Sequence, residues 1–144
     1  MNEQYKDVAI YKPTKSTKGG ALQIKPSVNK ETGIIECLYL EAAKQSGDRL
    51  FDWNTKVVMK LGIVDISKMM TVFSGREAKC NLFHKSAAGS STLDIAPNQG
   101  VPGFYLKTSS TASGIQVGVP LSNDEAELLL ALLRGIVPKL YGWN

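Results

Sequence analysis

The chain has 144 residues, 43% of them hydrophobic and 21% charged, and a net charge of +4, which is the composition of one globular domain. This composition excludes a fibrous or largely disordered protein, and the longest apolar run, Leu128 to Leu133, is too short to span a bilayer. The N-terminus lacks the pattern of a secretory signal, so we expect an intracellular protein without a membrane partner. Residues 1–30 carry six lysines and two acids, which equals the whole net charge. This segregation favours a polyanionic partner, although many intracellular proteins are mildly basic.

The first part of the chain has no sustained hydrophobic period. Residues 12–18 are polar and include a proline, so we predict a flexible basic arm over residues 1–17 and a domain over residues 18–144. Near-alternation from Ala21 to Lys25 predicts a strand that ends at Pro26. Residues 34–40 are rich in β-branched and aromatic side chains, and we expect them to pair with this strand as a hairpin.

The middle of the chain contains more strand patterns than helix patterns. Apolar residues at 66, 69, 70 and 73 predict an amphipathic helix over residues 64–73. Short apolar segments bounded by turn residues predict the remaining strands, at residues 55–61, 78–84, 92–96, 104–108 and 115–119. The pattern indicates a mostly antiparallel sheet protein with few helices.

A second helix is predicted to begin at Asn123, because Ser122 and Glu125 form a capping box. The body of this helix is apolar almost all round, whereas a surface helix of a small domain usually has a polar face. A single domain of this size can bury such a helix inside, but on an antiparallel sheet protein the helix usually lies outside, so we expect a second subunit to cover it. We expect Gly135 and Pro138 to kink or interrupt the end of the helix. The residues predicted to form the oligomer contact are Leu129, Leu132, Leu133 and Ile136.

Residues that could support catalysis are sparse. His84 is the only histidine, and neither Cys80 nor Ser86 forms a catalytic triad with it. The two cysteines, Cys37 and Cys80, have no metal-ligand spacing and are expected to be reduced core residues. We predict no enzymatic activity, no cofactor and no metal site.

Lysines and aromatic residues are interleaved along the predicted strands. Lysines that alternate with apolar residues place ammonium groups on an outer sheet face, where they neutralise phosphates without reading bases. Exposed rings on the same face stack on unpaired bases, which favours single strands over duplex. The alternative for any one ring is a place in the core, and for His84 it is a position in the sheet where a hydrogen bond satisfies the side chain. The candidate phosphate contacts are Lys18, Lys25, Lys56, Lys60, Lys79 and Lys107, and the candidate base contacts are Tyr39, Phe51, Trp53, Phe83, Tyr105 and His84.

Several segments resemble the Whirly protein family, in the same order and at similar spacings across residues 8–143. The segments are Lys18 to Pro26, Phe51-Asp52-Trp53, Val57 to Gly75, Cys80 to His84, Val119 to Leu121 and Pro138 to Trp143. The first of them also resembles transcriptional positive cofactor four, which belongs to the same structural superfamily.

The resemblance implies an α+β fold of two antiparallel four-stranded sheets packed crosswise, with a short helix and a long C-terminal helix. It implies a homotetramer, with a homodimer as the alternative. It also implies sequence-independent binding of single-stranded DNA in replication, recombination, repair or transcription. RNA binding or annealing, and coactivation through protein partners, stay open as alternatives.

Three departures from the family pattern limit what can be transferred. Gly20 stands where the family usually has a second lysine or its neighbour, so the resemblance does not predict assembly beyond a tetramer. The loop after His84 is shorter, and no organellar transit peptide is recognised. Both features lead us to expect the cytoplasm of a bacterium or a phage-infected cell, with an organelle or nucleus as the alternative.

Overall fold

The computed structural model describes residues 5–143, which form eight strands and two helices. Strands β1 to β4 form one antiparallel sheet, sheet A, and strands β5 to β8 form a second, sheet B. The elements are β1 Val8–Lys12, β2 Gly20–Val28, β3 Ile35–Gly47, β4 Leu50–Leu61, α1 Ile63–Phe73, β5 Cys80–Ser86, β6 Gly89–Pro97, β7 Phe104–Ser110, β8 Ile115–Leu121 and α2 Asn123–Leu140. The expected architecture of two four-stranded sheets with a short and a long helix is confirmed.

Each sheet buries one face in a shared core. Leu22 and Leu40 of sheet A and Leu93 and Leu106 of sheet B belong to this core, together with residues of both helices. Because successive side chains of a strand point to opposite faces, the residues next to these leucines point outward. The outer faces therefore carry the lysines and rings that the sequence interleaves with apolar residues.

Both helices begin at capping residues that the sequence supplies. At α2, Ser122 Oγ accepts a hydrogen bond from the backbone N–H of Glu125 at 3.1 Å, and Glu125 Oε1 accepts one from Ser122 N–H at 2.9 Å. This confirms the predicted capping box. At α1, the Asp65 carboxylate accepts a hydrogen bond from Gly62 N–H at 2.9 Å. Lys12 Nζ lies 2.7 Å from Glu125 Oε1, and this ion pair joins β1 to α2.

The predicted arm over residues 1–17 is wrong for residues 8–12, which form β1 and pair with β2 from Ile24 to Gly20. The strand is only five residues long and buries Ile10 alone, so its alternation is too short to detect in the sequence. Residues 1–4 lie outside the described range.

Pro26 does not end its strand as expected, and Pro138 does not interrupt its helix. Pro26 lies within β2, opposite Leu38 of β3, and its other side is open because β1 reaches only to Ile24. A missing N–H is tolerated on such an open side. Pro138 lies inside α2, which continues to Leu140.

The C-terminal helix buries most of its apolar surface within its own chain. Leu129, Leu133 and Ile136, which the sequence analysis assigned to the oligomer contact, belong to the core of the monomer. Leu132 is 44% exposed, and Leu128, one turn earlier, is 52% exposed. The outward apolar surface of α2 is therefore narrower than predicted, because sheets and α1 already cover its other sides. Among residues 5–143, no helix is long and apolar enough to cross a membrane.

Candidate nucleic-acid interface

The outer face of sheet A holds a row of three predicted contact residues on three neighbouring strands. Tyr39 of β3 lies opposite Lys25 of β2 on one side and Lys60 of β4 on the other. Side chains directly opposite each other in an antiparallel sheet are about 5 Å apart at Cβ. The pairing thus places an aromatic side chain between two lysine side chains, where one nucleotide can contact both kinds of group.

A carboxylate lies within the same face, two residues further along β3. Glu41 Oε1 is 3.0 Å from Lys56 Nζ and 3.3 Å from Lys25 Nζ. Burial raises the pKa of the Glu41 carboxyl, but the two ammonium groups outweigh burial and hold the pKa below its ordinary value. Two of the six predicted phosphate contacts are therefore ion-paired, and the sequence analysis missed their partner.

A pair of aromatic rings lies at one end of this face. Tyr11 of β1 and Phe51 of β4 have ring centroids 5.6 Å apart, and Tyr11 is 50% exposed. Tyr11 is opposite the fully buried Ala21 of β2. Tyr11 is thus a neighbour of Phe51 that the sequence analysis placed in the arm, because the alternation of a five-residue strand is too short to detect.

The loop that carries Lys18 is held against β3 by the side chain of Gln45. Gln45 Oε1 accepts hydrogen bonds from the backbone N–H groups of Thr14 and Gly19, each at 2.9 Å. Its Nε2 donates to the carbonyl oxygens of Thr14 at 3.1 Å and Gly47 at 2.9 Å. A Cβ atom at Gly19 would overlap the carbonyl oxygen of Lys12, so the tight path of this loop requires glycine there.

Trp53 lies in an irregular part of β4, where the register to β3 shifts between Ala43 and Gln45. The Asp52 carboxylate accepts hydrogen bonds from the backbone N–H groups of Asn54 at 3.1 Å and Thr55 at 3.3 Å, which holds the chain in this shape. Trp53 is partly buried there.

Sheet B presents a second set of predicted contacts on its outer face. Phe83 of β5 is 66% exposed, and Tyr105 of β7 is 43% exposed, with exposed Lys107 two residues later on the same face. The ring of Tyr105 lies across Gly118 of β8, where a Cβ atom would overlap it. Lys79 is exposed and directly precedes β5.

His84 lies on the opposite face of sheet B from Phe83. Its Nε2 is 3.0 Å from Oδ1 of Asp65, so it joins the end of β5 to the first turn of α1. The structure therefore does not bring His84 together with the other predicted base contacts, and it shows the side-chain hydrogen bond that was its alternative role.

A polar cleft of about 530 Å³ separates β4 from the two turns at the end of sheet B. Lys56 and Thr55 line one wall, and Ser90 and Ser113 line the other. The Ser113 hydroxyl is buried and has no hydrogen-bond partner among residues 5–143. The cleft connects the lysine-bearing face of sheet A with the turns of sheet B.

Within residues 5–143, the potential metal ligands are dispersed and both cysteines are buried. No group of three or more His, Cys, Asp or Glu side chains in this range is arranged to hold a metal ion. Cys37 and Cys80 are buried and unpaired, as predicted, and burial raises the pKa of the Cys80 thiol.

Known proteins share both the sequence pattern and the fold. The chain is 25% identical over 118 residues to the chloroplastic single-stranded DNA-binding protein WHY1 of Arabidopsis thaliana, a match that covers 74% of this chain and 44% of WHY1. The chain thus spans under half the length of this relative, whose chloroplast location gives no support to the expected bacterial or phage source. The plant transcriptional regulator PBF-2 has the same fold, with a TM-score of 0.79 and 21% identity, covering 99% of this chain and 94% of that one.

A more distant structure also shares the fold. It is a guide-RNA-binding protein complex bound to a guide RNA, with a TM-score of 0.65 and 17% identity, covering 94% of this chain and 90% of that one. The model of the Whirly transcription factor family matches residues 8–135, which includes both sheets and most of α2. With nearly the whole fold inside that match, the chain belongs to the Whirly transcription factor family.

Proposed function

We propose that this chain is a sequence-independent single-stranded DNA-binding protein that supports replication, recombination, repair or transcription inside the cell. The observation that carries the proposal is the row of Lys25, Tyr39 and Lys60 across the outer face of sheet A. An aromatic side chain between two lysine side chains matches the alternation of base and phosphate in one strand. The similarity to WHY1, which is named for binding single-stranded DNA, supports the same reading.

Each of the two outer faces would contribute both phosphate contacts and base contacts. Exposed lysines neutralise phosphates on both sheets, at Lys18, Lys60, Lys79 and Lys107, none of which has an ion pair within the described range. Rings at Tyr39, Phe83 and Tyr105 stack on bases. Such stacking accepts every base, which accounts for binding without sequence preference. The polar cleft beside Lys56 gives the strand a path from sheet A to sheet B.

We also propose that the protein assembles as a homotetramer, with a homodimer as the alternative. The exposed pair Leu128 and Leu132 forms an apolar strip on α2 that a second copy can cover. The Whirly family model includes this part of the helix. Replacing a strip leucine by aspartate would separate the subunits without disturbing the core.

The experiment that tests DNA binding is fluorescence anisotropy with labelled oligo-dT, a matched duplex and oligo-U at several salt concentrations. We expect tight binding to oligo-dT, weak binding to the duplex, and a loss of affinity as salt rises, because released counterions set the salt dependence. Phe83→Ala and Lys60→Gln should each weaken binding to oligo-dT. Equal affinity for duplex and single strand would contradict the stacking role of the rings.

RNA is the second candidate ligand, because the guide-RNA-binding complex has the same fold. Stacking and phosphate contacts do not depend on the 2′-hydroxyl, which is the group that distinguishes RNA from DNA. Tighter binding to oligo-U than to oligo-dT would favour this candidate. If no oligonucleotide binds, coactivation through protein partners becomes the leading function.

A further inference from the structure

The basic face of sheet A contains one buried acidic side chain. Glu41 lies opposite Gln23 of β2 and Val58 of β4, in the row next to Lys25, Tyr39 and Lys60. Its side chain is only 11% exposed, whereas those of Lys25 and Lys56 are 36% and 33% exposed. The carboxylate thus lies beneath two ammonium groups, each partly open to solvent.

One oxygen of Glu41 holds both lysines. Glu41 Oε1 lies 3.3 Å from Lys25 Nζ and 3.0 Å from Lys56 Nζ. An ammonium group has three N–H donors, so each lysine keeps donors that can reach a phosphate. A phosphate that approaches either lysine must nevertheless compete with this carboxylate, and it is repelled by the carboxylate's charge.

We propose that Glu41 is a positioning residue that limits the affinity of this face for single-stranded nucleic acid. It fixes Lys25 and Lys56 on either side of β3 and neutralises one of their two positive charges. The strand then gains only part of the counterion release that two unpaired lysines would give, so it dissociates faster. This inference rests on the proposed function of the sheet A face.

The inference predicts that removal of the Glu41 charge tightens binding. Glu41→Gln keeps the length of the side chain and a carbonyl oxygen that can still accept from the lysines. We expect oligo-dT to bind about threefold to tenfold more tightly, because a partly exposed ion pair contributes modestly to the free energy. The slope of log affinity against log salt should steepen by about 0.7, the value for one more neutralised phosphate of a single strand.

The experiment compares wild type, Glu41→Gln and Glu31→Gln in anisotropy titrations with labelled oligo-dT at several salt concentrations. Glu31 is exposed in the turn between β2 and β3, so Glu31→Gln makes the same change in net charge away from the face. Glu41→Thr, with a β-branched side chain suited to a strand, serves if Glu41→Gln does not fold. Thermal unfolding confirms that each variant is folded.

The outcomes separate the role of Glu41 from the function itself. Tighter and more salt-sensitive binding by the Glu41 variant alone supports the inference. Equal tightening by Glu31→Gln would assign the effect to net charge and overturn it, as would unchanged or weaker binding by folded Glu41 variants. If neither the wild type nor any variant binds oligo-dT, both the proposed function and the role of Glu41 are rejected.

Discussion

Replacement of Gln45 by alanine tests whether a single side chain holds the Lys18 loop on the sheet. Gln45 is 7% exposed and makes four hydrogen bonds, all to backbone groups of Thr14, Gly19 and Gly47. The substitution removes all four and leaves two N–H groups and two carbonyl oxygens without these partners. We expect Gln45→Ala to destabilise the fold and to loosen the loop.

The size of the effect follows from the number of bonds. A hydrogen bond contributes about 1 kcal/mol net, so four together contribute about 4 kcal/mol. Water can reach the outer side of this loop and replace some of them, which lowers the expected loss to about 2–3 kcal/mol. At about 3–4 °C per kcal/mol for a domain of this size, Tm should fall by roughly 6–12 °C.

Urea and thermal unfolding measure the stability, and anisotropy with oligo-dT measures the consequence for binding. Gln23→Ala is the matched control, because Gln23 is partly exposed on the neighbouring strand β2 and its side chain makes no hydrogen bond within residues 5–143. A loss no larger than that of the control would refute the reasoning. Unchanged affinity in a destabilised Gln45→Ala would show that the position of Lys18 does not matter for binding.

Three further changes have distinct expected outcomes. Phe83→Ala should leave the urea midpoint unchanged but weaken oligo-dT binding by about 1–3 kcal/mol, the value of one stacked base; a lowered midpoint with intact binding would place the ring in the core. Leu132→Asp should lower the sedimentation mass while the circular dichroism spectrum stays folded, whereas Leu129→Asp, within the core, should unfold the chain; an unchanged mass for Leu132→Asp would reject the proposed strip. Lys12→Met tests the ion pair with Glu125. Burial raises the pKa of Glu125, but Lys12 and Ser122 outweigh it, so the pKa lies below its ordinary value of 4.5. A depressed carboxyl pKa gives stability that is present above the ordinary value and lost as pH falls through the folded value. The stability difference between wild type and Lys12→Met, measured by urea unfolding, should therefore shrink from about pH 6 to about pH 3; an equal difference at both would contradict the ion-pair account.

The sequence predicted the elements that depend on residues close together in the chain. The capping box at Ser122 and the apolar spacing from Ile66 to Phe73 depend on residues within one or two turns, and both helices begin within one residue of the expected position. Phe83 and Tyr105 alternate with buried leucines, but the sequence analysis left open whether each ring lies in the core, and only the structure shows that both are exposed.

The features that the sequence did not predict depend on contacts between residues distant in sequence. The ion pairs of Glu41 arise from the register of three strands, which no local period reveals. Leu129 and Leu132 are equally apolar, and only the packing of α2 on its own chain decides which one is exposed. Strand β1 is too short for a detectable period, and its place in sheet A comes from pairing with β2.

The close fit of Tyr105 over Gly118 has a consequence for how this surface can vary. A side chain at position 118 would overlap the hydroxyl end of the Tyr105 ring, so the ring can keep this position only over glycine. In related chains we expect the two positions to vary together, with a large residue at position 105 only where position 118 is glycine. The residue at position 118 of a related chain would therefore indicate whether that chain has an aromatic ring at position 105 of sheet B.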